Sequence, residues 1–98
     1  MNQRMATQTS QQAGLFSQEE WKVLASESRL PPRLSQIAYL VLCGNGDKQI
    51  AASLGIGIPT VRTHMGRLFT KLDVQDRKEV VLFFFRLHRA KSKLLVSS

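Results

Sequence analysis

The stretch "NGDKQIAASLGIGIPTVRTHMGRLFTKLDV", Asn45 to Val74, decides how this chain folds. Asp47 suits the cap of a helix, and Ile50, Ala51 and Leu54 follow it at the spacing of one helical face. Gly55-Ile56-Gly57 then interrupts the pattern with a tight turn. Pro59 is tolerated in the first turn of a helix and not in its interior, so a second helix is predicted from about Ile58 to Leu72. Set out at helical intervals, Val61, Met65, Leu68 and Leu72 fall on one narrow apolar stripe, the face that must pack. Thr63, Gly66, Arg67 and Thr70 lie opposite it, with Arg62 on one flank and Thr60, His64 and Lys71 on the other. Two helices in series across a Gly turn, the second basic on its unburied side, make a helix-turn-helix. The spare face has the chemistry that DNA asks of a recognition helix.

A helix that enters the major groove needs short or flexible donors toward the bases and cations toward the phosphates. Arg62 is the best candidate for a guanine contact, and Thr63 suits a thymine methyl or a base edge. Thr60, His64 and Lys71 fit phosphate positioning, together with the backbone N–H groups at the start of the preceding helix beside Lys48. Arg67 completes the outer face. Gly66 weakens the helix by about 1 kcal/mol relative to Ala, which serves either close approach to DNA or helix packing. A basic amphipathic helix alone is often only a solvated surface. Its position after another helix and a Gly turn is what favours DNA.

The charge distribution agrees. Residues 1–29 carry three basic and three acidic groups, whereas residues 30–98 carry eleven basic against four acidic, so the net +7 sits entirely on the part that holds the helix pair. A phosphate-binding surface requires that placement, while a general solubility charge would be spread out. Ninety-eight residues make one small domain. No apolar run approaches the ~20 residues of a membrane span, and the N-terminus lacks a signal pattern. The expectation is a cytoplasmic protein with no membrane contact. One cysteine, Cys43, and two histidines give no internal disulfide and no metal-ligand cluster, and Cys43 reads as a small apolar residue near a helix end. His88 has no identifiable catalytic companion, no nucleophile, base and orienting group come together, and no phosphate-cradling Gly loop is present. The chain is read as a non-enzyme with no catalytic residue, no metal and no cofactor.

Working outward from the helix pair, residues 1–14 are rich in Gln, Thr and Ser without apolar period and are expected to be a disordered tail. The folded unit is expected over residues 15–90. Ser17 and Glu20 form a capping box for a first helix, with Phe16 placed to staple onto Trp21 and a buried stripe of Trp21, Leu24 and Ala25. Pro31 and Pro32 end that segment and seed a second helix to about Cys43, apolar nearly all round and therefore central. Asp76 and Glu79 make another capping box for a last helix from Arg77 to about Ala90, followed by a basic tail over residues 91–98 that frays. The fold class is all-α: a compact helical bundle of five helices containing the helix-turn-helix. In the last helix Val80, Phe84 and Leu87 share the inward face, leaving Val81, Leu82 and Phe85 on another side as a candidate dimer contact.

From Leu30 to about Glu79 the chain also resembles the C-terminal DNA-binding domain of bacterial transcription regulators of the LuxR, FixJ and GerE type. "LPPR" at Leu30 to Arg33 resembles the opening Leu-Thr-Pro-Arg, and "DKQIAASLGI" resembles the scanning-helix pattern Asn-Lys-Glu-Ile-Ala. "TVRTH" at Thr60 to His64 resembles Thr-Val-Lys-x-His, and "KLDVQDRKE" at Lys71 to Glu79 resembles the Lys-Leu-Gly-Val link into the last helix. The resemblance implies a four-helix core, here with one extra N-terminal helix, a recognition helix in the major groove and dimerisation through the last helix. It places Arg62, Thr63 and Gly66 at positions that face bases, and Thr60, His64 and Lys71 near phosphates. Three departures stand out. Pro31 and Leu34 replace the cap and acidic residue of the usual second-helix capping box, and Gly57 stands where Ser commonly caps the recognition helix, at a cost of a few tenths of a kcal/mol. The family's receiver or ligand-binding domain is not expected within these 98 residues, one extra helix standing in its place.

These readings converge on a small, free-standing regulator that binds double-stranded DNA as a homodimer, with RNA polymerase or another regulator as further partners. Two other readings compete with it. One is a module like region four of a sigma factor, against which the continued apolar helix from Val80 to Leu87 speaks. The other is a protein-interaction module that pairs with a larger regulator through its last helix.

Overall fold

The computed structural model describes residues 16–97, with side chains as far as Ser92. These residues form five helices and no strand: α1 (Gln18–Ser28), α2 (Pro32–Leu42), α3 (Asp47–Leu54), α4 (Ile58–Leu72) and α5 (Arg77–Ser97). The expected tail over residues 1–14 lies outside the described residues.

Each helix start has a local cause. Ser17 Oγ accepts from the Glu20 backbone N–H at 3.1 Å while the Glu20 carboxylate accepts from the Ser17 N–H at 2.8 Å, the reciprocal box read from sequence. α2 begins at Pro32 after an N-cap, Pro31, that makes no side-chain cap bond, as the loss of its capping box implied. Two starts differ in detail from expectation. The α3 cap is Gly46, its N–H bonded to the Gln49 side chain at 2.8 Å, so Asp47 is the first helical residue and its carboxylate is free for long-range partners. Ahead of α5, Asp76 Oδ1 accepts from the Glu79 N–H, but Glu79 reaches one residue further back, to the Gln75 N–H at 2.7 Å. The end of α5 differs more. It continues to Ser97 where a fraying tail was expected after Ala90, because "KSKLLVS" contains neither Gly nor Pro and consists largely of residues that lose little freedom in a helix.

The core forms where these helices converge. α2 packs on α4 and α5, α3 on α4, and α1 on α5. Ile37 and Ala38 of α2, Ile50 of α3, Val61 and Leu68 of α4, and Val80 and Phe84 of α5 are sealed from solvent. The stripe Val61, Met65, Leu68 and Leu72 is buried as the wheel placed it. α1 is docked by Leu24, by Trp21 with ring centroids 5.0 Å from Phe84 and 5.7 Å from Tyr39, and by a His88–Glu20 contact of 3.2 Å. Phe16 is buried, but its ring contact is with His88, centroids 5.1 Å apart, rather than the expected staple to Trp21. Among the described residues no helix is long and apolar enough to cross a membrane.

Candidate nucleic-acid interface

The turn between α3 and α4 sets the interface. Gly55 ends α3 at φ 67°, a left-handed conformation that costs an L side chain about 1–2 kcal/mol, and its N–H bonds back to the Ala51 carbonyl. The Ile56 N–H does the same at 3.0 Å, closing the turn before Gly57 starts α4. With Val61, Met65, Leu68 and Leu72 held in the core, the other side of α4 is forced outward. Arg62, Thr63, Gly66, Arg67, Thr70 and Lys71 are all exposed, and so are Thr60 in the first turn and Lys48 at the start of α3.

The structure sharpens several of these positions. A Cβ built on Gly66 meets nothing within 4 Å, so packing inside the domain does not require a glycine here. The Thr63 hydroxyl donates to the Pro59 carbonyl at 3.1 Å, which leaves its oxygen as an acceptor and its methyl free. Thr70 is likewise bonded back to the Gly66 carbonyl at 3.0 Å. Arg62 is 72% exposed, yet its Nε lies 3.3 Å from Asp47 Oδ2. His64 differs from the other candidates in burial. It is half-buried, with Nδ1 shut from solvent and without a hydrogen-bond partner, so the helix turns this ring partly inward.

An open groove of about 950 Å³ runs between the start of α2 and the outer face of α4. Arg33 lines it together with Thr63, Gly66, Arg67 and Lys71. Arg33 was not singled out in the sequence because helix periodicity relates residues within an element, and only packing of α2 on α4 brings this cation to the same face. Arg77 was missed for the same reason: it reaches Asp47 and donates to the Asn45 carbonyl at 3.0 Å, tying α5 to the front of α3.

At the far side of the unit, α5 offers Leu82 and Phe85 to solvent, 39% and 46% exposed. Val81, grouped with them from the sequence, is half-buried and packed on the domain's own core, because α5 is covered on two sides.

Residues 28–84 match the family model for bacterial regulatory proteins of the luxR family, which covers α2, the helix-turn-helix and the start of α5. This chain belongs to the luxR family. Similar proteins include the response regulator protein VraR of Staphylococcus aureus, of Staphylococcus saprophyticus and of Staphylococcus epidermidis, each 37% identical over 57 residues. The match takes in 58% of this chain but only 27% of each VraR, so the chain spans about a quarter of these relatives' length. No solved structure matches. Membership in the luxR family makes this a helix-turn-helix DNA-binding domain of transcription regulation, with α3 and α4 as the helix pair.

Proposed function

We propose that this luxR-family chain reads double-stranded DNA with α4 in the major groove and acts as a dimeric transcription regulator in the cytoplasm. The observation that carries the reading is the outer face of α4, where an uncrowded Gly66 lies among exposed Arg62, Thr63, Arg67 and Lys71. That face lets a duplex come close to the helix backbone while cations meet the phosphates. In this reading Arg62 and Thr63 face bases, Lys71, Arg67, Thr60 and Lys48 position the backbone, and His64 acts from the edge of the fold. Arg33 joins the phosphate-facing group because it lines the same groove. Dimerisation uses Leu82 and Phe85, which a folded monomer leaves in water. Paired copies would set two recognition helices on half-sites roughly one helical turn apart.

Selection of bound sequences from a pool of random duplexes tests the proposal. The expected result is an enriched site with two-fold symmetry and an affinity that falls steeply with salt. A pool that stays unenriched, with no binding at low salt, refutes it and favours pairing with a protein through α5.

A further inference from the structure

Arg62 does not project freely from α4. Its Nε is 3.3 Å from Asp47 Oδ2, across the turn of the helix-turn-helix. The other carboxylate oxygen, Oδ1, is held by the Arg77 guanidinium from α5. Arg77 is itself fixed by the Asn45 carbonyl at 3.0 Å, and Asn45 is bonded to the Leu40 carbonyl at the end of α2. Asp47 is thus a half-buried carboxylate anchored from behind by the body of the fold, with one oxygen turned toward an exposed cation of the interface. Among the described residues the two terminal nitrogens of Arg62 have no partner.

The guanidinium is a rigid, planar fork of five donors. With Nε committed to Asp47, the edge left over is the terminal pair, two parallel N–H donors at the spacing that guanine O6 and N7 accept. An arginine free in solvent has many rotamers to lose on binding, and an arginine held by a carboxylate has fewer. The same carboxylate keeps Arg62 from turning to a phosphate, and its negative charge opposes the duplex as a whole.

We propose that Asp47, anchored by Arg77, is a positioning residue that sets the specificity of Arg62 for guanine at the expense of general affinity for DNA. The proposal rests on the reading of α4 as the recognition helix. It goes further in assigning base discrimination to a residue of α3 that itself touches no base.

The test uses the full chain and a duplex selected from a random pool, together with the same duplex carrying each single base-pair change. Arg62→Ala should flatten the preference for guanine at one position by about ten- to a hundredfold. Asp47→Ala should flatten it at that same position by about five- to tenfold, part of the Arg62 effect. Binding to a random duplex should hold or strengthen, with the salt slope steeper by up to about one unit as Arg62 becomes free to meet phosphate. In Arg62→Ala protein, adding Asp47→Ala should change discrimination no further. Asp47→Asn, which keeps the shape and one acceptor, covers the case in which the alanine variant does not fold, and it should fall between the two. If Arg62→Ala relaxes the preference while the Asp47 variants leave it intact, or if they weaken specific and random duplexes in parallel, the proposal for Asp47 is overturned and the recognition helix stands. If Arg62→Ala alters no base preference, the reading of α4 fails first.

Discussion

Gly66→Ala separates what the helix wants from what its partner wants. Gly66 is the ninth of fifteen residues in α4, and its backbone is ordinary right-handed helix, since it is not among the positive-φ residues. A new Cβ there meets nothing within 4 Å, so alanine adds no clash inside the domain. The gain should be the intrinsic difference between the two residues in a helix interior, about 0.8–1.0 kcal/mol. For a domain of this size that corresponds to a rise of about 4–8 °C in Tm. The effect on DNA should have the opposite sign. Where a duplex approaches the backbone at Gly66, an added carbon costs about 1–3 kcal/mol, the usual range for overfilling a close-packed contact. Affinity for a selected site would fall about five- to 150-fold, with a much smaller change on random duplex, where the helix need not seat deeply. Thermal melts at one fixed protein concentration and titrations at one fixed salt concentration measure both effects. A raised Tm with unchanged affinity for the selected site would refute close approach at Gly66, and an unchanged Tm would refute the claim that only the helix's own preference is at stake.

Asp73 ends α4 at φ 57°, so Asp73→Gly should stabilise the chain by about 0.5–1 kcal/mol, read as a higher melting temperature without change in DNA affinity. Trp21→Ala should destabilise by about 2–3 kcal/mol, below the 3–5 kcal/mol of a fully buried aromatic because this ring is only half-buried against Phe84 and Tyr39; an unchanged melt would mean that α1 does not contribute to the folded unit. Phe85→Glu should give a folded monomer with near-normal affinity for a single half-site and no gain from a second one, measured by sedimentation and by titration of single and paired sites. A wild-type chain that sediments as a monomer at high micromolar concentration and ignores the second half-site would rule out the dimer. Glu20 provides a pH dependence: the Ser17 backbone N–H, and after it His88, hold its carboxyl below the ordinary 4.5. Its contribution is therefore complete above that value and is lost as pH falls through the lower folded one. Denaturant melts should show the stability advantage of wild type over Glu20→Gln shrinking in acid, and an advantage that grows below pH 4.5 would contradict the assignment.

What could be read from the amino-acid sequence was whatever acts over one or two helical turns. The stripe Val61, Met65, Leu68 and Leu72 obeys helical geometry within one element, Ser17 and Glu20 cap each other three residues apart, and Gly55 answers a local demand for positive φ. Such features need no knowledge of the rest of the chain, so the five helices and the outward face of α4 followed from them. The length of α5 was misjudged because a stop was assumed where no breaker stands, and Asp47 was given a capping role because the short-range role of an Asp before a helix is the one a sequence displays. Tertiary packing decided the remainder. Asp47 meets Arg62 fifteen residues away and Arg77 thirty away, and Glu20 meets His88 at a separation of 68. Arg33 reaches the outer face of α4, Val81 packs half-buried against the core and His64 is drawn partly inward. A charged side chain several bonds long can pair with any opposite charge that the fold brings within about 4 Å, and sequence patterns do not say which one that will be. The sequence therefore determined which face of α4 is left outward, and the packing of α2, α3 and α5 around that helix decided how its arginine is held.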